Sequence, residues 1–496
     1  MIEPGIDGVA GLLRQAREVF HDDPTALAVL NELEGRLEGP LRVAVAGMVK
    51  AGKSTLLNAI IGEEIAPTDA GECTRIVTWY RYGHTPRITL HPFIGEPQAL
   101  PVTREDGRLV FNLGDVRAED VERLVVDWPS ASLRELTLID TPGIASLSQD
   151  VSGRSKAFLL PEDAPMAADA VIYLMRHLHA SDVRFLESFK DTAAGQSGTV
   201  NALAVLSRAD EIGAGRIDSL ISAAVIADRY SRDQNLKPLA LGVVPVAGLL
   251  AQSSRTMRQS DFEAMKLLAQ LDRRHRERLM LSADLFVRAA EPEGLGQAAK
   301  ASLVQRFGLF GIRLAVALIR GGIGNPTELA HELARRSGLG QLLDNIAYLF
   351  QTRAAALKAR AAVVGLEALV RSTPKDVALL LEANLEKLQA GAHEFRELKL
   401  LATLRTEGIS LTPGQSAEAE RLVGGRGSTL PLRLDLNPEA SPEQISEAAR
   451  NCLNRWRLLA ENPLTEPAAL EACRVVLRSC EGMLAANSPF ARQPVR

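Results

Sequence analysis

The plainest chemistry in this chain lies in Gly47-Met48-Val49-Lys50-Ala51-Gly52-Lys53-Ser54. The pattern is G-x-x-x-x-G-K-[ST], a loop whose backbone N–H groups close around a polyphosphate. Its glycines permit the tight backbone, and the helix that follows adds the positive end of its dipole. Lys53 is then placed to neutralise the β- and γ-phosphates, and the Ser54 hydroxyl to ligate Mg²⁺. The flanks agree with this reading. Val43 and Val45, among alanines, make a buried strand pattern that breaks at Gly47; a helical pattern opens at Ser54 and stops at Gly62, a good C-cap. These residues predict a site for a nucleoside triphosphate.

A second strand pattern, 136–140, ends in Asp140-Thr141-Pro142-Gly143. After a phosphate loop, an aspartate here holds Mg²⁺ through water and the Gly143 N–H senses the γ-phosphate; the plainer alternative is a strand running into a turn. Thr74 precedes strand 76–82 in a Gly/Pro-rich loop. Its hydroxyl suits Mg²⁺ and its carbonyl the attacking water, unless it is only a loop or N-cap threonine. Ser207-Arg208-Ala209-Asp210 follows strand 201–206 and matches [ST]-K-x-D with Arg for Lys. The Asp210 carboxylate takes both N1–H and N2–H₂ of guanine, whereas adenine leaves it unpaired and desolvated. Arg208 covers the base with its stem and guanidinium plane. Val244-Pro245-Val246-Ala247-Gly248 fits the opposite wall, with Ala247 at the base. The set favours GTP over ATP, with GDP as product.

Two positions bear on mechanism. Ras-like enzymes place a water-orienting Gln directly after the glycine of the aspartate motif. Ile144 stands there instead, so the water must be placed by backbone, a bound cation or a second protomer. Lys50 holds the loop position at which related GTPases that use a monovalent cation carry Asn or Ser. Either its ammonium takes that cation's place over the β–γ bridge, where charge develops in the transition state, or it is a solvated or dimer-facing lysine.

The elements that position these residues read as alternating strands and helices. Strand patterns cover 42–46, 76–82, 87–91, 109–113, 123–127, 136–140, 170–175, 201–206 and 242–246, with helices near 54–61, 182–190 and 216–232. Such alternation predicts an α/β fold, a mainly parallel sheet with helices on both faces. Two helices over 5–38, broken at Asp22-Asp23-Pro24, precede it. Beyond Val246 the pattern is helical: 254–290, 297–320, 327–336, 339–370, 375–403, 441–460 and 466–486, with loops at Gly408–Gly414 and Gly424–Ser428.

Composition narrows the class. Lys+Arg 57 against Asp+Glu 61 gives net charge −4, which argues against a dedicated nucleic-acid binder. The opening MIEPGIDGVAGLL lacks a basic region before an apolar core, so no secretory signal is expected. The apolar run Leu309–Ile319, interrupted by Arg313, is too short and charged to span a bilayer. Cys73, Cys452, Cys473 and Cys480 lack metal-ligand spacing and read as reduced thiols. A cytoplasmic location is expected, with membrane contact peripheral at the inner face.

With these motifs assembled, the chain resembles the bacterial dynamin-like GTPases, in particular their mycobacterial isoniazid-inducible branch. The likeness runs through RVAVAGMVKAGKSTLLNAIIGEEIAPTD, ECTRIVTWYR, IDTPG, SRADEIGAGRID, VPVAGLLA and RFGLFGIR, and extends to SGLGQLLDNI and RAAALKARAA. It implies N-terminal neck helices (1–38), a GTPase domain (39–325) and a helical neck and short trunk bundle (326–496). It carries Gly47, Gly52, Lys53, Ser54, Thr55, Thr74, Asp140, Gly143, Arg208 and Asp210 over as nucleotide and Mg²⁺ residues; Lys53, Thr74 and Gly143, joined by Lys50 from the residue reading above, make the candidate catalytic group. It also implies a nucleotide-dependent homodimer through the GTPase domain, peripheral binding or remodelling of membrane lipid, and a role in tolerance of cell-wall drugs. Val49-Lys50 replaces the Gln-Ser of dynamins. The rivals are a GTP-binding regulatory partner of a larger, membrane-anchored dynamin-like paralogue, and an RNA- or ribosome-associated GTPase. For lipid contact, Leu400–Leu411, with Leu401, Leu404, Ile409 and Leu411, and the Arg426–Arg433 loop are candidates; simple helix packing is the alternative.

Overall fold

A computed structural model describes residues 4–67, 76–105, 108–142, 167–188, 200–373, 375–406 and 409–487. Its β-branched and aromatic runs form β1 (Leu41–Gly47), β2 (Val77–Tyr82), β3 (Arg87–Pro92), β4 (Gln98–Leu100), β5 (Thr103–Glu105), β6 (Arg108–Val110), β7 (Val121–Trp128), β8 (Leu136–Asp140), β9 (Ala170–Met175), β10 (Ala202–Ser207) and β11 (Val243–Val246). Nine of them make one sheet in the order β11-β10-β9-β1-β8-β2-β7-β3-β4. The pairings from β11 to β8 and that of β2 with β7 are parallel; β8–β2, β7–β3 and β3–β4 are antiparallel. The sheet is therefore mixed, parallel where the nucleotide motifs sit. The strand expected at 109–113 is shorter: β6 pairs only with β5 in a separate hairpin, and a turn in which Gly114 N–H donates to Asn112 Oδ1 (2.9 Å) ends the run.

Strand alternation explains both covered faces. Val43 and Val45 of β1, with Ile172 and Leu174 of β9, join the layer of α3 (Lys53–Ile61), while Ala44, Ala46, Val171 and Tyr173 face α4 (Ala180–Ser188) and α5 (Ser219–Ser231). The first layer's core runs on through α12 (Leu339–Leu349) into the C-terminal bundle, so head and bundle share one apolar interior.

The expected helix over 254–290 is divided among α6 (Gly248–Arg255), α7 (Gln259–Gln270), α8 (Arg273–Leu279) and α9 (Ala283–Arg288). Asp272 accepts the N–H groups of Arg274 and His275, and Ser282 that of Leu285, so each restarts a helix as its N-cap. These pack with α10 (Gln297–Arg320) and α11 (Pro326–Arg336). By length and apolar composition α10 could cross a membrane, yet Phe307, Phe310, Ile312 and Val316 are buried in this lobe. The pattern 339–370 is broken at Gln351–Arg353, separating α12 from α13 (Ala354–Arg371), and 375–403 is broken at Ala392, separating α14 (Lys375–Gly391) from α15 (His393–Thr406). The bundle closes with α16 (Pro413–Leu422), α17 (Leu430–Leu434), α18 (Pro442–Glu461) and α19 (Pro467–Ala486). Leu400, Leu401 and Leu404 are buried in it, so they serve packing and offer nothing to lipid.

At the N-terminus α1 (Pro4–Val19) and α2 (Pro24–Glu38) pack on α13 and α14. Asp23 caps α2 and Pro24 occupies its first turn. Below the sheet, Arg36 Nε donates to Asp169 Oδ1 at 2.7 Å with both side chains almost wholly buried, and Asp169 Oδ2 accepts Arg42 N–H at 2.8 Å. Lys358 of α13 donates to the carbonyls of Leu37 and Gly39 at 2.7 and 2.9 Å, joining helix, linker and sheet. Removing one partner of a buried ion pair leaves the other charged and unsatisfied. Asp169→Ala is therefore expected to lower unfolding free energy by about 3–5 kcal/mol in urea titrations; a loss below about 1 kcal/mol would show that Arg36 finds water.

Candidate functional site

β1 delivers the chain to the phosphate loop. Gly47 has φ +151°, and a Cβ there would stand 2.4 Å from the Leu174 carbonyl oxygen, so no other residue fits. Gly52, at φ +94°, precedes α3, and no side chain caps that helix; its first-turn N–H groups are left for an anion. Lys53 folds back over the loop, Nζ 3.4 Å from the Gly47 carbonyl oxygen. Burial depresses its ammonium below the ordinary value, opposed by the Asp140 carboxylate.

Ser54 Oγ donates to Asp140 Oδ2 at 3.1 Å, joining the phosphate loop to the end of β8. Asp140 Oδ1 is buried and has no hydrogen-bond partner among the described residues. Burial pushes the carboxyl up to about 6, against the pull of Lys53 and of the Ser54 hydrogen bond. A buried carboxylate oxygen lacking a partner beside a hydroxyl is what a hard divalent cation fits, and phosphate oxygens and water would complete its shell. Among the described residues no cluster of three or more His, Cys, Asp or Glu offers an all-protein metal cage. Thr141 holds the strand end in place, its N–H and Oγ1 both donating to the Val45 carbonyl oxygen at 3.3 and 2.9 Å.

Beside the loop opens a cavity of about 170 Å³ lined by Ala51, Gly52, Thr55, Leu56, Leu174, Val205, Ser207, Arg208, Asp210, Glu211, Val246, Gly248 and Leu249. Pockets that engulf whole drug-sized ligands run to roughly 300–1,000 Å³; this one suits a base between walls, with the phosphates on the open loop. β10 carries Ser207 to its wall, and a 3-10 turn over Ala209–Ala214 carries Asp210. Burial raises the Asp210 carboxyl, with Glu211 adding to the effect and Arg208 opposing it. Ala247 lies just outside: it is fully buried, and its N–H donates to the Ser337 carbonyl at 2.9 Å. Val246 and Gly248 supply the wall expected of it.

One contact escaped the sequence reading. Arg208 Nη2 donates to the Lys50 carbonyl oxygen at 3.0 Å, while Nη1 meets Glu211, itself paired with Arg176 at 2.6 Å. Lys50 and Arg208 hold φ +63° and +52°, a region that costs ordinary residues energy and that clusters at functional sites. The base loop is thereby tied to the phosphate loop, and the Lys50 side chain is left exposed. The sequence signal was weak: Glu211 beside Asp210, and Arg176 just after β9. The structure thus brings Gly47, Lys50, Ala51, Gly52, Lys53, Ser54, Thr55, Asp140, Arg208 and Asp210 around one cleft. Thr74, Gly143 and Ile144 lie outside the described residues.

The dynamin family profile matches residues 43–196. Over 456 residues the chain is 41% identical to the isoniazid-induced protein IniC of Mycobacterium tuberculosis, covering 92% of each. A bacterial dynamin-like protein of Nostoc punctiforme is 32% identical over 118 residues, 22% of this chain and 17% of that protein. Among solved structures, an oligomerised bacterial dynamin pair, described as a mechanism for long-range sensing and tethering of membranes, aligns with 98% of this chain and 74% of its own at TM-score 0.33 and 14% identity.

Proposed function

We propose, from the premise that this chain belongs to the dynamin family of GTPases, that it hydrolyses GTP to GDP with Mg²⁺ while self-associated at a membrane surface. The carrying observation is the Ser54–Asp140 pair with its partnerless buried oxygen, beside a base cavity that holds Asp210. In the proposed mechanism the α3 N-terminus and Lys53 bind the β- and γ-phosphates and spread their charge. Ser54 and Asp140 would hold a divalent cation, which would supply positive charge beside the phosphates; Thr74 and Gly143 are proposed to complete that side. Asp210 accepts the two guanine N–H groups, and Arg208 covers the base.

With Ile144 unable to orient water, a second protomer is proposed to complete the catalytic group. Specific GTPase activity should then rise several-fold with protein concentration; a flat value would sink the dimer-activated part. Lys50 is proposed to supply charge over the β–γ bridge. Lys50→Ser is expected to slow turnover at least tenfold in Na⁺, with K⁺ restoring part of it. Turnover equal to wild type in both salts would end that idea.

The unit plan is proposed as neck helices 1–38, a GTPase head 39–325 and a helical bundle 326–496, joined where Ser337 and Gly338 pack on Ala247 and Pro245. A peripheral membrane role, an envelope-stress function and a cytoplasmic location are proposed alongside this activity. The second reading is a regulatory partner of a membrane-anchored paralogue; the isoniazid-induced protein IniA of Mycobacterium tuberculosis is 32% identical over 167 residues, 30% of this chain and 25% of that protein. Liposome co-sedimentation with and without GTP separates the two: pelleting supports direct lipid binding, and its absence supports the partner role.

A further inference from the structure

Arg208 stands where the [ST]-K-x-D pattern has lysine, and that exchange has a physical consequence. An ammonium is a compact point charge, whereas a guanidinium is a rigid planar fork with donors on both arms. Arg208 Nη2 donates to the Lys50 carbonyl oxygen at 3.0 Å, which leaves Nη1 in need of an acceptor of its own. Glu211 supplies it. Its Oε1 accepts from Arg208 Nη1 at 2.7 Å and its Oε2 from Arg176 Nη2 at 2.6 Å, so each carboxylate oxygen holds one guanidinium.

The backbone enforces this placement. The Glu211 N–H donates to the Arg208 carbonyl oxygen at 2.9 Å, closing the first turn of the 3-10 segment and setting carboxylate beside guanidinium. Arg176 follows β9 directly, and β9 lies between β1 and β10, parallel to both. Ser207 Oγ donates to the Met175 carbonyl oxygen at 3.2 Å and so fixes the end of β10 against the end of β9. Lys50, Arg176 and Arg208 therefore sit on the segments that leave three neighbouring strands, and Glu211 bridges the two arginines.

We propose that Glu211, braced by Arg176, is a positioning residue for guanine nucleotide: it fixes the second arm of Arg208, which lets an arginine hold the phosphate loop and cover the base. The inference rests on the guanine-nucleotide reading above and adds two residues to it. Glu211 lines the base cavity, yet both of its oxygens are engaged by arginines, so it acts through Arg208 and not on the nucleotide. Without its charge, two guanidinium groups brought to one place repel each other. Glu211, Arg208 and Arg176 are 45%, 38% and 49% exposed. Isolated pairs at such exposure contribute little, and a network fixing a planar fork at both ends contributes more. The expected effect is thus on nucleotide affinity and not on folding.

The test measures GTP and GDP affinity of the full chain by competition, in two backgrounds. Glu211→Gln keeps the side chain's shape and removes the charge that bridges the arginines. It should weaken both nucleotides about five- to tenfold, with an unchanged melting temperature. Arg208→Lys has no second arm to hold. Measured against that variant's own affinity, adding Glu211→Gln should cost less than about twofold, and so should adding Arg176→Gln. Such non-additivity belongs to a residue acting through Arg208; a carboxylate that only stabilised the turn would cost the same in both backgrounds. Equal losses in the two backgrounds, with GTP still preferred over xanthosine triphosphate in the wild type, overturn the positioning role alone. A loss that vanishes when 2′-deoxy-GTP replaces GTP overturns it too, since Glu211 would then touch the ribose. Wild-type protein that binds xanthosine triphosphate as well as GTP overturns the guanine reading itself, and this inference with it.

Discussion

Asp140→Asn is expected to stop GTP turnover and, at neutral pH, to raise the melting temperature of the nucleotide-free protein. Both effects have one cause. The carboxyl sits in the interior with Oδ1 lacking a partner, and its value is pushed from 3.8 up to about 6. The native state therefore holds this proton more tightly than the unfolded chain does. Stability contributed by the group is whole below pH 4, declines as pH rises through 6, and is absent at pH 7 and above. The interval corresponds to about 3 kcal/mol of cost carried by the charged form when no cation is present. An amide keeps an oxygen to accept from Ser54 Oγ and carries no charge, so the Asn variant should lose this pH slope and melt several degrees higher at pH 7.5 in EDTA. Hydrolysis should fall at least 10²–10³-fold, because the charge proposed to anchor a cation beside the phosphates would be gone. Melting curves from pH 4.5 to 8, with and without Mg²⁺ and nucleotide, check the first effect, and phosphate release checks the second. A variant with the wild-type pH slope, or with wild-type turnover, would remove Asp140 from the role proposed for it.

What the sequence disclosed follows the range of the interactions involved. The strand, loop and α3 were legible because a glycine-bounded loop between a β-branched run and a helical one depends on neighbours only a few residues away. Asp140 and Asp210 were legible because the first ends a strand and the second follows one by three residues, and strand ends of an open α/β sheet converge on one edge. Local signals were also misread. Thr412-Pro413 with Gln415 is a capping box with proline in the first turn, both bonds of which are made, so the start of α16 is legible inside the last residues of the expected loop 408–414. Asp272 and Ser282 likewise announced breaks in what looked like one helix. Other features lay beyond any local pattern. Arg36–Asp169 closes across 133 residues, and Arg405 across 165 and more to the Ala240 and Lys237 carbonyls; which buried arginine meets which acceptor is decided by the assembled fold. The Arg208–Lys50 contact is of this kind, as is the burial of the Ala247 amide under Ser337.

Asp210→Asn tests the other half of the cleft, where the expected effect is a change of substrate. A carboxylate offers two acceptors to guanine N1–H and N2–H₂, and in a partly buried pocket such charge-assisted pairs are about twice as strong as neutral ones. With Asn, one acceptor becomes a donor facing the exocyclic amine, and GTP affinity is expected to fall roughly 100-fold or more. Xanthine carries a carbonyl where guanine carries that amine, so the new donor has an acceptor and N1–H keeps one. Xanthosine triphosphate should then bind the variant better than GTP does, reversing the wild-type order. The raised carboxyl of Asp210 adds a pH signature. Only its ionised form accepts both bonds, so wild-type GTP affinity should weaken on acidification, whereas xanthosine triphosphate binding to the variant should not weaken through this group. Arg208→Met separates the contributions of the two residues. It removes the link to the Lys50 carbonyl but keeps an apolar cover over the base, and so should weaken both nucleotides without exchanging their order. Nucleotide binding measured by competition across pH 5.5–8 reads all of these. Equal losses for GTP and xanthosine triphosphate in Asp210→Asn would mean that Asp210 shapes the turn and does not read the base, and that the guanine assignment rests elsewhere in the cleft.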